Sequence, residues 1–134
     1  MMKVFLDTNI LLDYVLGREF GDDAAQLLQR GLNGAFSLQA SFLTFANMAY
    51  ILKGKADIYD LLANLSHFVT VLPNNNIQIQ EALSQRVHDF EDMLQYQCAI
   101  EGGCDVIITN NGKDFTEFSH LPIMTAAQFL VKYD

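Results

Sequence analysis

Apolar and polar positions alternate in blocks along this chain, and the period of the apolar positions changes from block to block. Val4-Phe5-Leu6 is a short continuous run of the β-branched and aromatic kind that strands favour, so a first strand is predicted over Lys3 to Leu6. Ile10, Leu11, Tyr14 and Val15 then recur at helical spacing, predicting a helix from about Asn9 to Leu16 that ends at Gly17. Asp22-Asp23 opens a second helix through Arg30, with Gly31 and Gly34 as its stop signals, and Phe36-Ser37-Leu38 is a short strand candidate. Ser41 stands as N-cap of a long helix carrying Phe42, Phe45, Met48, Ala49, Ile51 and Leu52, stopped at Gly54. A fourth helix, Ala56 to His67, leads into Phe68-Val69-Thr70-Val71-Leu72, which reads as a buried strand ended by Pro73. Asn76 to about His88 and Glu91 to Glu101 are helical, the latter terminated by Gly102-Gly103. Asp105 to Thr109 has the strongest strand character of all; Pro122-Ile123-Met124 is a last short strand, and Thr125 caps a final helix.

Strands that alternate with helices imply a parallel sheet covered on both faces, an α/β/α arrangement of three layers. The length, 134 residues, suits a single domain over 1–134 with a real hydrophobic core. Apolar residues make up 51%, which excludes a disordered tail protein. No apolar run approaches the ~20 residues needed to cross a bilayer, so no membrane partner is expected. One lysine followed by Asp7 inside the first apolar stretch does not fit a signal peptide. Cys98 and Cys104 read as buried thiols rather than a disulfide framework, which suits a reducing cytoplasm. The ten phenylalanines and five methionines fall at core spacing and read as packing.

Charge narrows the chemistry. The net charge of −8 argues against a broad basic surface for nucleic acid and is compatible with an acidic pocket for cations or with a basic partner. Asp7 closes the first strand, and in open α/β sheets the ligand crevice lies at the carboxyl ends of the strands. Asp-Thr-Asn at that point is equally a helix cap. Asp89, Glu91 and Asp92 crowd the start of a later helix, with Asp89 and Asp92 three residues apart and hence on one side of the first turns. Capping and dipole compensation account for one or two of them. Leu94, Cys98 and Tyr96 continue the buried side, so Asp92 stands at the core margin, where a carboxylate needs a partner. No lysine or arginine is near in sequence, and a metal ion would serve. Thr109-Asn110-Asn111-Gly112-Lys113-Asp114 follows the late strand; by itself it is a turn. Three segments, around Asp7, Asp92 and Asn111/Asp114, are thus expected at one edge of the sheet. Oxygen ligands without a Cys or His set suit Mg²⁺ or Mn²⁺ rather than zinc.

These residues resemble the PIN domain family, whose small members include the VapC-type toxin ribonucleases of bacterial toxin–antitoxin modules. The resemblance spans essentially the whole chain and rests on Val4 through Asp13, Asp92 through Ala99, and Ile107 through Phe115. It implies hydrolysis of RNA phosphodiester bonds to a 5′-phosphate and a 3′-hydroxyl with Mg²⁺ or Mn²⁺, a homodimer, and an antitoxin protein as partner. Carried over by position, Asp7 matches the first acid and Asp92 the third. Asn47 stands where a helical glutamate is usual and Asn111 where a fourth acid is usual. Asp114 matches a further acid; Thr8, Asn9 and Thr109 match supporting polar positions. The implied catalytic set is therefore Asp7, Asp92, Asp114, Asn47 and Asn111, with Asp7, Asp92 and Asp114 as metal ligands.

The two asparagines keep oxygen ligands but remove two charges, so one weakly held ion is expected in the free protein, a second entering only with substrate. Asp13 is expected to be a structural or surface acid, and Glu91 to face solvent. His67, His88 and His120 have no ligand spacing and are expected at the surface or at helix ends. Lys113, a lone lysine in a turn, is expected to be exposed, the alternative being a contact with substrate phosphate or with the acid cluster. Two phosphoryl-transfer classes fit poorly. A haloacid-dehalogenase-like site wants an Asp where Asn9 stands, and a receiver-like site wants an acid pair before its phosphorylated Asp. A non-enzymatic rival remains: a PIN-like domain, impaired by Asn47 and Asn111, that binds RNA or a protein without cleaving.

Overall fold

The chain is seen in a computed structural model that describes residues 1–55 and 57–133. Its β1 strand (Lys3–Leu6), β2 (Ser37–Ser41), β3 (Val69–Leu72), β4 (Val106–Ile108) and β5 (Ile123–Met124) form one sheet in the order β3-β2-β1-β4-β5. Every neighbouring pair is parallel, with Val4 opposite both Leu38 and Val106 at the centre. The helices are α1 (Thr8–Leu16), α2 (Gly21–Leu32), α3 (Phe42–Ile51), α4 (Ile58–Ser66), α5 (Asn76–Gln85), α6 (Phe90–Glu101), α7 (Gly112–Thr116) and α8 (Ala126–Lys132).

The expected three layers follow from the period-2 alternation of the strands. Val4, Leu6, Val106 and Ile108 point to one face and share a core with Leu11, Leu27, Met48, Leu65 and Phe129. Phe5 and Ile107 point to the other and pack with Met93, Cys98, Ala99 and Phe115. Thus α1–α4 and α8 cover one face, and α5–α7 the other. Both cysteines are free and buried. Burial pushes the Cys98 thiol up to about 12 and the Cys104 thiol up to about 11, so both are inert at neutral pH.

Several boundaries differ from expectation. Strand β2 runs past Leu38 to Ser41 because it pairs on both sides. Gln39, which obscured it, is buried and donates to Ser37 Oγ at 2.7 Å. Phe36 lies before the strand, its ring edge-on to Phe129 at 5.0 Å. Helix α2 passes through Gly31, where a side chain would collide with Leu38. The glycine there permits close helix–sheet packing and is no terminator. Helix α5 stops at Gln85, three residues short of expectation, because Arg86 adopts a left-handed φ of 50°. The segment from Gly112, read as a turn, is the short helix α7. Ala56, the expected start of the fourth helix, lies outside the described residues; the helix is seen from Ile58, capped by Asp57. The phenylalanines are not all packing: Phe20, Phe42 and Phe90 are exposed, as is Met1.

Candidate active site

The strand order has one switch point, between β1 and β4, where the chain stops adding strands on one side and starts on the other. A crevice opens outside the carboxyl ends of two such strands. Asp7 follows β1, and Thr109 follows β4. Asp7 N donates to Ile108 O at 3.0 Å, locking the two strand ends together. The Asp7 carboxylate is 6% exposed and held by two donors. Oδ1 accepts from Thr8 N at 2.9 Å, as the cap of α1, and Oδ2 accepts from Thr109 Oγ1 at 2.8 Å. Thr109 Oγ1 in turn accepts from Asn111 N at 3.0 Å. Capping and site-building are therefore the same act at Asp7.

Helix α6 brings the second group. Asp89 is its N-cap, Oδ1 accepting from Asp92 N at 3.1 Å. N-cap and third-position side chains share one side of the first turn, and Asp114 reaches the same place from α7. Carboxylate oxygens of Asp89, Asp92 and Asp114 all lie within 4.8 Å of one another. Across the cleft, Asn47 Nδ2 on α3 donates to Glu91 Oε1 at 3.0 Å. Together with Asp7, Thr8, Asn9 and Asn111 these side chains line a cleft of about 430 Å³, with Tyr50, Ile51 and Leu12 on its wall.

A buried polar knot lies beneath. Thr8 Oγ1 and Thr44 Oγ1 share a hydrogen bond of 2.8 Å, and Gln95 Nε2 donates to Thr44 at 2.9 Å and to Thr8 at 3.3 Å. Ser41 Oγ, the cap of α3, donates to Thr44 Oγ1 at 3.3 Å. This ties α1, α3 and α6 together directly under the acids. Gln95 Oε1 is the one buried side-chain nitrogen or oxygen without a hydrogen-bond partner among the described residues.

Electrostatically the cleft is under tension. Burial raises the Asp92 carboxyl to about 7, and the charges of Asp7, Asp89, Asp114 and Glu91 push the same way. Burial also raises Asp7, against the lowering effect of the Thr109 and Thr8 hydrogen bonds. The ion pair seen among the described residues lies outside the cleft, between Arg18 and Asp13 at 3.7 Å. A hard divalent cation fits this donor set: the donors are oxygen only, three converge within one ion's reach, and their mutual repulsion is what a cation relieves.

The structure brings Asp7, Asp92, Asp114, Asn47, Asn111, Thr8 and Asn9 to one cleft, while Thr109 is fully buried beneath it. Glu91 is exposed, yet its carboxylate turns to Asn47 and the cleft instead of open solvent. Asp13 is buried and structural, accepting from Asn110 Nδ2. His67, His88, His120 and Lys113 are exposed. Asp89 was read from sequence beside Asp92 on one side of the helix start but was not placed in the metal set, and Gln95 beneath it was not singled out. Their signals were spacing: Asp89 and Gln95 each lie three positions from Asp92, and Gln95 is polar inside a buried stripe.

Comparison with known proteins agrees with this fold. Residues 3–113 match the PIN domain family. Ribonuclease VapC1 of Aquifex aeolicus (strain VF5) is 24% identical over 141 residues, covering 98% of this chain and 96% of that protein. Among solved structures, VapBC-1 from nontypeable Haemophilus influenzae covers 94% of this chain and 99% of its own, at a TM-score of 0.71 and 20% identity. Mycobacterium tuberculosis VapC20, a sarcin-ricin loop cleaving toxin, covers 86% and 95% at a TM-score of 0.63 and 15% identity. A toxin–antitoxin complex from Klebsiella pneumoniae covers 92% and 97%, with a TM-score of 0.71 and 21% identity. At such identities the structural likeness shows the fold.

Proposed function

This chain belongs to the PIN domain family, and we propose that it is a metal-dependent ribonuclease, the toxin of a type II toxin–antitoxin module. The observation that carries this reading is the oxygen-only acidic cleft at the β1/β4 switch point, with Asp89, Asp92 and Asp114 converging beside Asp7. The ribonuclease and toxin–antitoxin relatives support the substrate class and the module.

In this proposal Asp7, Asp92 and Asp114 hold Mg²⁺ or Mn²⁺, and Asp89 adds a fourth carboxylate. When bound there, such an ion would polarise the scissile phosphate and lower the pKa of a water. Asp114, exposed at the start of α7, orients the attacking water and accepts its proton. Thr109 and the Thr8 amide fix the Asp7 carboxylate, so its oxygens do not have to reorganise during the reaction. Asn111 and Asn9 present amides, not charges, to the cleft, which eases the approach of an anionic phosphate. Asn47 is a wall residue whose amide is engaged by Glu91.

The chain's net charge of −8 suits a basic antitoxin, which could insert an arginine among the carboxylates. A homodimer acting on RNA in the cytoplasm completes the reading. The test is cleavage of a labelled structured RNA with Mn²⁺, with EDTA, and by Asp7→Asn and Asp92→Asn. Cleavage to 5′-phosphate ends that requires both metal and acids is expected. RNA left intact by the wild type with Mn²⁺, or cut equally in EDTA, refutes the proposal. Metal-independent RNA binding without cleavage would restore the impaired-domain alternative.

A further inference from the structure

Asn47 and Glu91 sit on opposite walls of the cleft, on α3 and α6, and meet across it. Asn47 Nδ2 donates to Glu91 Oε1 at 3.0 Å, while among the described residues Glu91 Oε2 makes no hydrogen bond. Glu91 occupies the second position of α6, between the cap Asp89 and the half-buried Asp92. From there an unconstrained side chain would extend into water, where a carboxylate is best solvated. Its retention over the cleft therefore depends on the Asn47 amide. That hydrogen bond engages one oxygen of Glu91 and leaves the other uncommitted, and Glu91 lines the same cavity as Asp7, Asp89 and Asp92. The Glu91 charge is close enough to Asp7 and Asp92 to raise both carboxyls.

We propose that Glu91, steered by the Asn47 amide, is a cation-binding carboxylate of this cleft and supplies at the α3 wall the negative charge that Asn47 itself lacks. The inference deepens the metal-dependent reading above and rests on it. Neither residue works alone: asparagine at 47 contributes the donor that turns the carboxylate inward, and the carboxylate contributes the charge. Exchanging the two side chains across the hydrogen bond should therefore preserve the function that removing either one damages.

The test is a calorimetric titration with Mn²⁺ alone on the full chain, comparing wild type, Glu91→Gln, Asn47→Glu/Glu91→Gln, Asn47→Leu and Asp92→Asn. Glu91→Gln keeps size and hydrogen bonding at an exposed position, and thermal melts in EDTA confirm that each variant folds. Glu91→Gln is expected to weaken Mn²⁺ about tenfold, and the exchanged pair to recover most of that loss. Glu91→Gln titrating like wild type while Asp92→Asn loses binding overturns the role of Glu91 and leaves the metal-dependent reading standing. Unaltered titrations in both, or no saturable Mn²⁺ binding in the wild type, overturn the two together. A Glu91→Gln loss that the exchange fails to restore overturns the claim that Glu91 supplies the charge missing at the α3 wall, and Asn47→Leu titrating like wild type overturns the steering role of Asn47.

Discussion

Asp92→Asn should stabilise the metal-free protein while abolishing its proposed activity. The Asp92 carboxyl is raised from 3.8 to about 7, by burial first and by Asp7, Asp89, Asp114 and Glu91 after it. A raised carboxyl binds its proton more tightly when folded than when unfolded. Its stability contribution is thus fully present below pH 4 and is lost progressively as pH rises through 7. Each pH unit of displacement is worth about 1.4 kcal/mol, giving a ceiling of ~4 kcal/mol. Asp92 is only half-buried, so solvent screening reduces the realised penalty to about 1–2 kcal/mol. Asparagine keeps the shape and cannot ionise. In EDTA at pH 8, urea denaturation should show Asp92→Asn more stable by about 1–2 kcal/mol, the gain shrinking toward zero near pH 4. Saturating Mn²⁺ should invert the order, because a ligand that binds only the folded wild type stabilises it by mass action. A variant less stable than wild type at pH 8, or a gain that does not vary with pH, would refute the argument from burial and repulsion.

Other substitutions test the scaffold. Thr109→Val removes the donor to Asp7 Oδ2 and the acceptor for Asn111 N. It should cost about 2–3 kcal/mol in urea denaturation and raise the Asp7 carboxyl further; a loss under about 0.5 kcal/mol would show that water replaces the hydroxyl. Thr44→Val leaves the buried Gln95 amide and Thr8 hydroxyl short of partners and should cost about 1–3 kcal/mol, with Mn²⁺ affinity as a second readout because Thr8 adjoins Asp7. Gly31→Ala would place a methyl 2.5 Å from Leu38 Cγ, in a side chain that is 1% exposed. A lowered melting temperature corresponding to about 1–3 kcal/mol is expected from overpacking, and an unchanged melt would mean that α2 shifts freely on the sheet.

The fold was legible because strand and helix periods are written in Val4-Phe5-Leu6, Val106-Ile107-Ile108 and the amphipathic runs between them, each with a cap or glycine at its end. What misled were residues whose tertiary role overrides their local preference. Gln39 hid the last three residues of β2, itself included, because a buried, internally bonded glutamine looks polar in sequence. Gly31 looked like a terminator because its reason, contact with Leu38, lies on another element. Turn formers at Asn111-Gly112 concealed a five-residue helix. The acids of the site were visible as carboxylates at strand ends and helix starts. Direction was not visible: sequence spacing puts Glu91 on the outer side of its helix, and only the position of Asn47, 44 residues away, turns it inward.

Asp92, raised to about 7 by burial first and by its acidic neighbours after it, sits in a cluster of like charges that ought to spread apart in the absence of a cation. What opposes that spreading lies below the acids. Asp7 is fixed by the strand pairing of β1 with β4 and by the Thr109 hydroxyl, none of which can yield without opening the sheet centre. Asp92 is one turn from Gln95, whose amide is bonded to Thr44 and Thr8, so α6 cannot slide away without breaking buried hydrogen bonds to two other helices. Each such break costs about 1–3 kcal/mol, comparable with or larger than the repulsion it resists. The knot of Thr8, Thr44 and Gln95 thus keeps the carboxylates at ligand spacing before any ion arrives. The free protein carries the electrostatic cost of assembly in advance, and on the metal-dependent reading proposed above a cation that entered would recover it as binding affinity, with no further cost for ordering the site.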